Sequence, residues 1–165
     1  AEEYRAAGDD PWQIPLDSAE RDAIVTRHPG TARGQLTGGN LALVGALLGT
    51  PYSIDTDGKI LFIEDIAEQP YRVDRLLAQL RLAGKLEKLA GMILGQFTDC
   101  LPAEGQASLA LEEIFDHYLS DLQIPIIENF PTGHARDNVT LPLGVELELD
   151  ATAKTLTVLH NPVRV

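Results

Sequence analysis

The apolar positions of this 165-residue chain follow two different periods, and the changes between them mark out its elements. After Gly38-Gly39-Asn40, the residues Leu41, Val44, Leu47 and Leu48 recur at helical spacing until Gly49-Thr50-Pro51 stops the pattern. Val73, Leu76, Leu77 and Leu80 form an i, i+3, i+4, i+7 stripe. Pro70, suited to a first helical position, and Gly84, suited to a stop, bracket it. A third helical face, Leu111, Ile114, Phe115, Tyr118 and Leu122, predicts a helix over about 107–121. Between these helices the runs 59–64, 92–97 and 124–128 are short and almost continuously apolar, as strands buried on both faces of a parallel sheet are. The chain closes differently. Residues 145–149 and 155–159 alternate apolar with polar across a four-residue connection, which predicts an antiparallel hairpin with one wet face.

Residues 1–35 show neither period and read as polar and irregular, punctuated by Pro11, Pro15 and Pro29. Within them Asp17-Ser18-Ala19-Glu20 has the form of a helix start, with Asp17 as cap and Glu20 three residues on, and predicts a short helix to about Thr26. Segment 1–33 is therefore expected to be a linker or N-terminal extension, and residues 34–165 a mixed α/β domain with parallel and antiparallel pairing. No internal repeat or low-complexity tract occurs.

Composition narrows the partners. A hydrophobic content of 44% is ordinary for one domain with one core. The formal charge of -12 argues against nucleic acid and against an anionic membrane surface, because both require clustered Lys and Arg. Any anionic ligand must then meet a local group of cations or N–H donors. Cys100 is the single cysteine, so no internal disulfide forms and a reducing, cytoplasmic setting is expected. No stretch approaches the ~20 apolar residues of a membrane span. Ala1-Glu2-Glu3-Tyr4 has neither an initiator methionine nor a signal-peptide pattern, and reads as a cut within a longer chain or a processed fragment.

Two side chains stand out for chemistry. Glu64 closes the run Lys59-Ile60-Leu61-Phe62-Ile63, placing a carboxylate at the rim of a low-dielectric core, where it needs a partner. Asp65 and Glu68 are alternatives for the inward-facing acid. His134 follows a glycine that lets the backbone turn sharply and present an imidazole, a group suited to moving protons near neutral pH. His28, His117 and His160 lie in contexts that suggest structural roles. Gly39 and Asn40 at a helix start offer backbone N–H groups for a carboxylate or oxyanion, although Asn40 also serves as an ordinary cap. No metal or cofactor is expected: the histidines are scattered, no Cys-x-x-Cys occurs, and no Gly-Lys-Ser/Thr follows the glycines. Ser18, Ser53, Ser108 and Ser120 all lack a strand–turn–helix elbow, and nothing near Cys100 suggests an activated thiolate. The chain holds a candidate base and its orienting acid without a persuasive nucleophile.

The segments Gly34-Gln35-Leu36-Thr37-Gly38-Gly39-Asn40-Leu41, Gly49-Thr50-Pro51, Gly58 to Asp65, Pro70-Tyr71-Arg72-Val73-Asp74-Arg75, and Gly133-His134 with Pro142-Leu143-Gly144 occur in the order found in one serine peptidase family. Over roughly residues 34–160 the chain resembles the C-terminal half of an LD-carboxypeptidase, a family that includes microcin C immunity proteins. The resemblance implies a swivelling β/β/α architecture. It also implies a Ser–His–Glu triad split between domains, with Glu64 as the glutamate and His134 as the histidine. The serine would come from an N-terminal domain whose motif has no counterpart here, so inactivity alone is expected. The implied substrate is a murein tetrapeptide cleaved between an L-centre and D-alanine. Two further expectations are an immunity-type hydrolase of peptidyl-nucleotide antibiotics and a non-catalytic interaction module. A homodimer through the closing hairpin's edge is conceivable, although Glu146 and Glu148 oppose it.

Overall fold

The computed structural model describes residues 10–136 and 138–160. Eight strands build one sheet: β1 (Trp12–Gln13), β2 (Val25–His28), β3 (Thr31–Asn40), β4 (Ile60–Ile66), β5 (Gly91–Thr98), β6 (Ile126–Glu128), β7 (Glu146–Asp150) and β8 (Thr155–Val158). Four helices join them: α1 (Ser18–Ala23), α2 (Leu41–Ala46), α3 (Pro70–Leu82) and α4 (Leu111–Leu119). The spatial order is β1-β8-β7-β3-β4-β5-β6-β2. The inner block β3-β4-β5-β6 is parallel, with α2, α3 and α4 as crossovers, and the flanking pairs are antiparallel. The mixed α/β expectation therefore holds, with both kinds of pairing in a single sheet.

Strand β3 is the hinge of this arrangement, and the sequence pattern hides it. Its first half, residues 31–35, pairs antiparallel with β7; its second half, 36–40, pairs parallel with β4. The composition Thr-Ala-Arg-Gly-Gln-Leu-Thr-Gly-Gly-Asn carries one large apolar residue, so no period shows. Packing demands the glycines. A Cβ on Gly38, at φ +129°, would lie 1.8 Å from the Phe62 carbonyl oxygen of β4.

Both faces of the central strands are buried. Leu61, Ile63, Met92 and Leu94 pack under the helices against Leu41, Val73, Leu77, Leu80, Ile114 and Phe115. Ile60, Phe62, Ile93 and Ile127 face the other way, against Leu36, Leu147, Leu149, Leu156, Val158 and Phe130. No helix of the crossover set covers that second face; the sheet curls over it. The Thr26 hydroxyl on edge strand β2 donates to the Ala151 carbonyl beyond β7, and Ala151 N–H donates to Gly30. Burying each large side chain contributes roughly 1.5–3 kcal/mol. Exposed pairs such as Arg33–Glu148 and Lys88–Asp57 contribute about 0–1 kcal/mol each, so the core decides stability.

Several expected boundaries move for local reasons. Residues 12–33 are not irregular: β1 pairs with β8, β2 pairs with β6, and Ile14 and Ile24 are buried. The boundary expected at residue 33 falls inside β3, so the segment before it is built into the sheet; residues 1–9 of that expected linker lie outside the described ones. The Asp17–Glu20 capping box is present, but α1 ends at Ala23 because Ile24 turns extended (φ -68°, ψ 135°) into the core. Helix α4 starts at Leu111, later than expected, after an extended Ala110 whose N–H is taken by Glu113. The predicted hairpin is β7–β8, but its outer edge is not open for a second copy: β1 occupies it, with Ile14 N–H also bonded to Leu156.

Gly38→Ala should cost on the order of 3 kcal/mol, from backbone strain plus overpacking against β4. Gly105→Ala, where an added Cβ meets no atom within 4 Å, should cost about 1 kcal/mol of strain alone. Thermal or urea unfolding of the two variants measures the difference.

Candidate active site

The residues that could carry chemistry gather at the C-terminal ends of the parallel strands, where open α/β sheets place their sites. Alternation along β4 sends Ile60, Phe62 and then Glu64 to one face, and Leu61, Ile63 and then Asp65 to the helix-covered face. Two neighbouring carboxylates, 5% and 2% exposed, are thereby buried on opposite sides of one strand. Each needs hydrogen-bond donors, since an unpaired buried charge costs several kcal/mol.

Glu64 finds its donor in His134, 70 positions along the chain: Nδ1 to Oε2 is 2.7 Å. An ionised carboxylate only accepts, so Nδ1 carries the proton and Nε2 is left as a free acceptor. The imidazole is about half exposed while Glu64 is sealed beneath it. The acid thus orients the ring, and the ring presents its basic edge outward. Among the described residues, no serine hydroxyl hydrogen-bonds to His134.

Three backbone features make that contact possible. Beside Glu64, the β4–β5 register slips between Ile63 and Asp65. Bulges of this kind commonly re-aim side chains next to sites. Gly95 sits at the slip; a Cβ there would stand 2.7 Å from both the Phe62 ring and the Thr132 carbonyl, and 3.0 Å from the Glu64 Cβ. Gly133 adopts φ +132°, and a Cβ there would come within 2.8 Å of the Glu64 carboxylate itself. Asn138 then clasps the loop. Its Oδ1 accepts from Gly133 N–H (3.3 Å) and its Nδ2 donates to the Gly133 carbonyl (3.0 Å), while the Thr132 hydroxyl beside it donates to the Val139 carbonyl (2.7 Å). Val139 N–H to the Pro131 carbonyl, 2.7 Å, closes the loop below the clasp. Sequence reading passed over Asn138; an Asn following a Gly-His pair in a loop is the signal that could have marked it.

Asp65 serves the scaffold. It accepts from Asn40 Nδ2 (2.8 Å), Ala42 N–H (3.0 Å) and Ile66 N–H (2.9 Å). Asn40 Oδ1 accepts from Leu43 N–H (3.1 Å), so Asn40 is the cap of α2. At the start of α2, Ala42 N–H is thus taken by Asp65 and Leu43 N–H by Asn40. Glu68, the third candidate acid, pairs with Arg72 at 3.3 Å.

The other groups stay apart from this chemistry. Burial pushes the Cys100 thiol above its ordinary range, with Asp65, Glu68 and Asp99 adding repulsion of a thiolate, so it is a poor nucleophile. Among the described residues, no three His, Cys, Asp or Glu side chains gather to hold a metal. No helix of the described residues is long and apolar enough to cross a membrane.

Two measurements follow from this geometry. In the native chain His134 should hold the Nδ1–H tautomer, and Glu64→Ala should shift its imidazole 13C and 15N resonances toward a tautomer mixture; unchanged resonances would contradict the orienting role. Because its pKa is raised, Cys100 should react with iodoacetamide at pH 8 more slowly in the folded chain than in the urea-unfolded chain, the gap narrowing as pH rises through the folded pKa.

The chain matches known proteins over most of its length. Residues 33–149 match the family model described as the LD-carboxypeptidase C-terminal domain. The chain is 42% identical over 139 residues to a probable murein peptide carboxypeptidase of Bacillus subtilis, covering 84% of this chain and 44% of that protein. It is 31% identical over 132 residues to the microcin C7 self-immunity protein of Escherichia coli, covering 78% and 37%. The crystal structure of a muramoyltetrapeptide carboxypeptidase from Oxalobacter formigenes superposes with a TM-score of 0.69 at 32% identity, over 92% of this chain and 49% of that one. The chain thus spans less than half the length of each of these relatives, and within that span it belongs to the LD-carboxypeptidase family, as its C-terminal domain.

Proposed function

We propose that this chain supplies the base and the orienting acid of a serine LD-carboxypeptidase that releases D-alanine from murein tetrapeptides, in cytoplasmic recycling of peptidoglycan. The observation that carries the reading is the 2.7 Å contact between the buried Glu64 and the half-exposed His134, which leaves Nε2 turned outward as a proton acceptor. In this role His134 takes the proton of a serine hydroxyl as that oxygen attacks the carbonyl of the L-centre. It then passes the proton to the departing D-alanine amine, and the same two steps run with water to clear the acyl-enzyme. Glu64 fixes the tautomer and balances the imidazolium; a carboxylate already sealed from water does so with little reorganisation.

In this reading the serine comes from a segment outside the given chain. None of Ser18, Ser53, Ser108 and Ser120 is bonded to His134. The chain alone should therefore show no carboxypeptidase turnover. The immunity-type alternative has weaker support, from a relative at 31% identity against 42% for the murein enzyme.

The test is turnover by a complete protein in which the nucleophile domain accompanies this chain, assayed for D-alanine release. His134→Ala should lower kcat by about 10^4-fold or more, and Glu64→Gln by roughly 10^3 to 10^4-fold. Full turnover by both variants would establish a non-catalytic module. Preferential cleavage of a peptidyl-nucleotide would establish the immunity-type reaction.

A further inference from the structure

The chain carries 25 acidic residues against 13 Lys and Arg. A substrate that bears carboxylates therefore approaches an unfavourable mean field and needs a local cation or free N–H groups to hold it. At the start of α2 the Ala42 and Leu43 N–H groups are already bonded to Asp65 and Asn40. Arg72, beyond β4, is taken by Glu68. Arg136 lies two residues after His134 in the same loop.

Arg136 is exposed and, among the described residues, has no ion-pair or hydrogen-bond partner. It stands in the wall of a groove of about 950 Å³, with Trp12, Ile14, Leu16, Gln96 and Val139 as neighbours in that wall. Two carboxylates share the groove, Asp17 and Glu20, and each already accepts the other's backbone N–H in the α1 cap. Gln96 has a buried Oε1 with no donor, and rotation of its carboxamide would offer that oxygen to a peptide N–H.

Position limits what such a groove can hold. His134 itself does not line the groove, but Arg136 and Asn138 do, and Asn138 is bonded to Gly133 directly before the imidazole, so a ligand held there lies beside the His134 loop. The Asn138 clasp fixes both ends of this loop, which sets the root of the guanidinium relative to the imidazole before substrate arrives.

We propose that this groove is the peptide subsite of the His134 centre, and that Arg136 binds a substrate carboxylate adjacent to the scissile amide. The inference rests on the carboxypeptidase reading above. Arginine suits the task because its planar fork meets a carboxylate with two parallel, charge-assisted hydrogen bonds, which lysine cannot reproduce. The carboxylate is either the terminal one of the departing residue or a side-chain carboxylate of the residue before it.

The test is a titration of the 15N-labelled chain with murein tetrapeptide, followed by amide and Arg Nε–H resonances. Shifts should concentrate on Gln96, Arg136, Asn138 and Val139, and Arg136→Gln should weaken binding about 5- to 10-fold, with Arg136→Lys between. Amidating the terminal and the side-chain carboxyl separately identifies the partner: the amide that weakens binding to the native chain but leaves Arg136→Gln unaffected marks it. Equal affinity of Arg136→Gln and the native chain, or shifts confined to another face, would overturn the subsite. In the complete protein Arg136→Gln should raise KM by the same factor with kcat within twofold. Groove binding without D-alanine release sinks the peptidase reading alone; release with an unchanged KM sinks the subsite alone.

Discussion

A carboxylate cannot be left bare in an apolar core, and the end of β4 buries two in succession, Glu64 and Asp65. Much of the local architecture follows from satisfying them. Each is worth several kcal/mol if stranded, against at most about 1 kcal/mol for an exposed ion pair on the surface. Glu64 draws in the imidazole from 70 residues away, and Asp65 draws in the first turn of α2. The glycines at 38, 95 and 133 are spaces left by this crowding, since a methyl group at any of them would strike β4 or its side chains. The two acids therefore share one strand and are divided by its pleat: the odd-numbered acid holds the start of α2 and the even-numbered one holds the imidazole.

What could be read from the sequence followed from how much apolar surface each element commits. Helix α3, with Val73, Leu77 and Leu80 buried, and the strands β4 and β5 announce themselves by period or by unbroken hydrophobicity. The β7–β8 hairpin does so by alternation. Strand β3 is invisible because close backbone approach replaced its side chains with glycine. Strands β1 and β2 are edge elements too short to show a period. They belong to the fold through pairing with distant segments, which no local window contains.

The site divides in the same way. Glu64 and His134 stood out because each is a chemically versatile group at the end of an apolar or glycine-marked run, and the family resemblance joined them. The expected anion seat at Gly39 and Asn40 was reasonable helix chemistry. Asp65 reaches the Asn40 side chain and Ala42 N–H beside it, a contact that depends on the parity of β4 and on the packing of α2. Parity of a strand is legible; which neighbour lies over each face is not.

The clasp formed by Asn138 around Gly133 has a consequence of its own. With residues 131–133 and 138–139 tied together, the intervening tip at Ala135 and Arg136 hangs from fixed posts. His134 lies on the same stretch, held through its own bond to Glu64. The loop is thereby anchored twice, by the amide clasp at its root and by the imidazole–carboxylate contact beyond it.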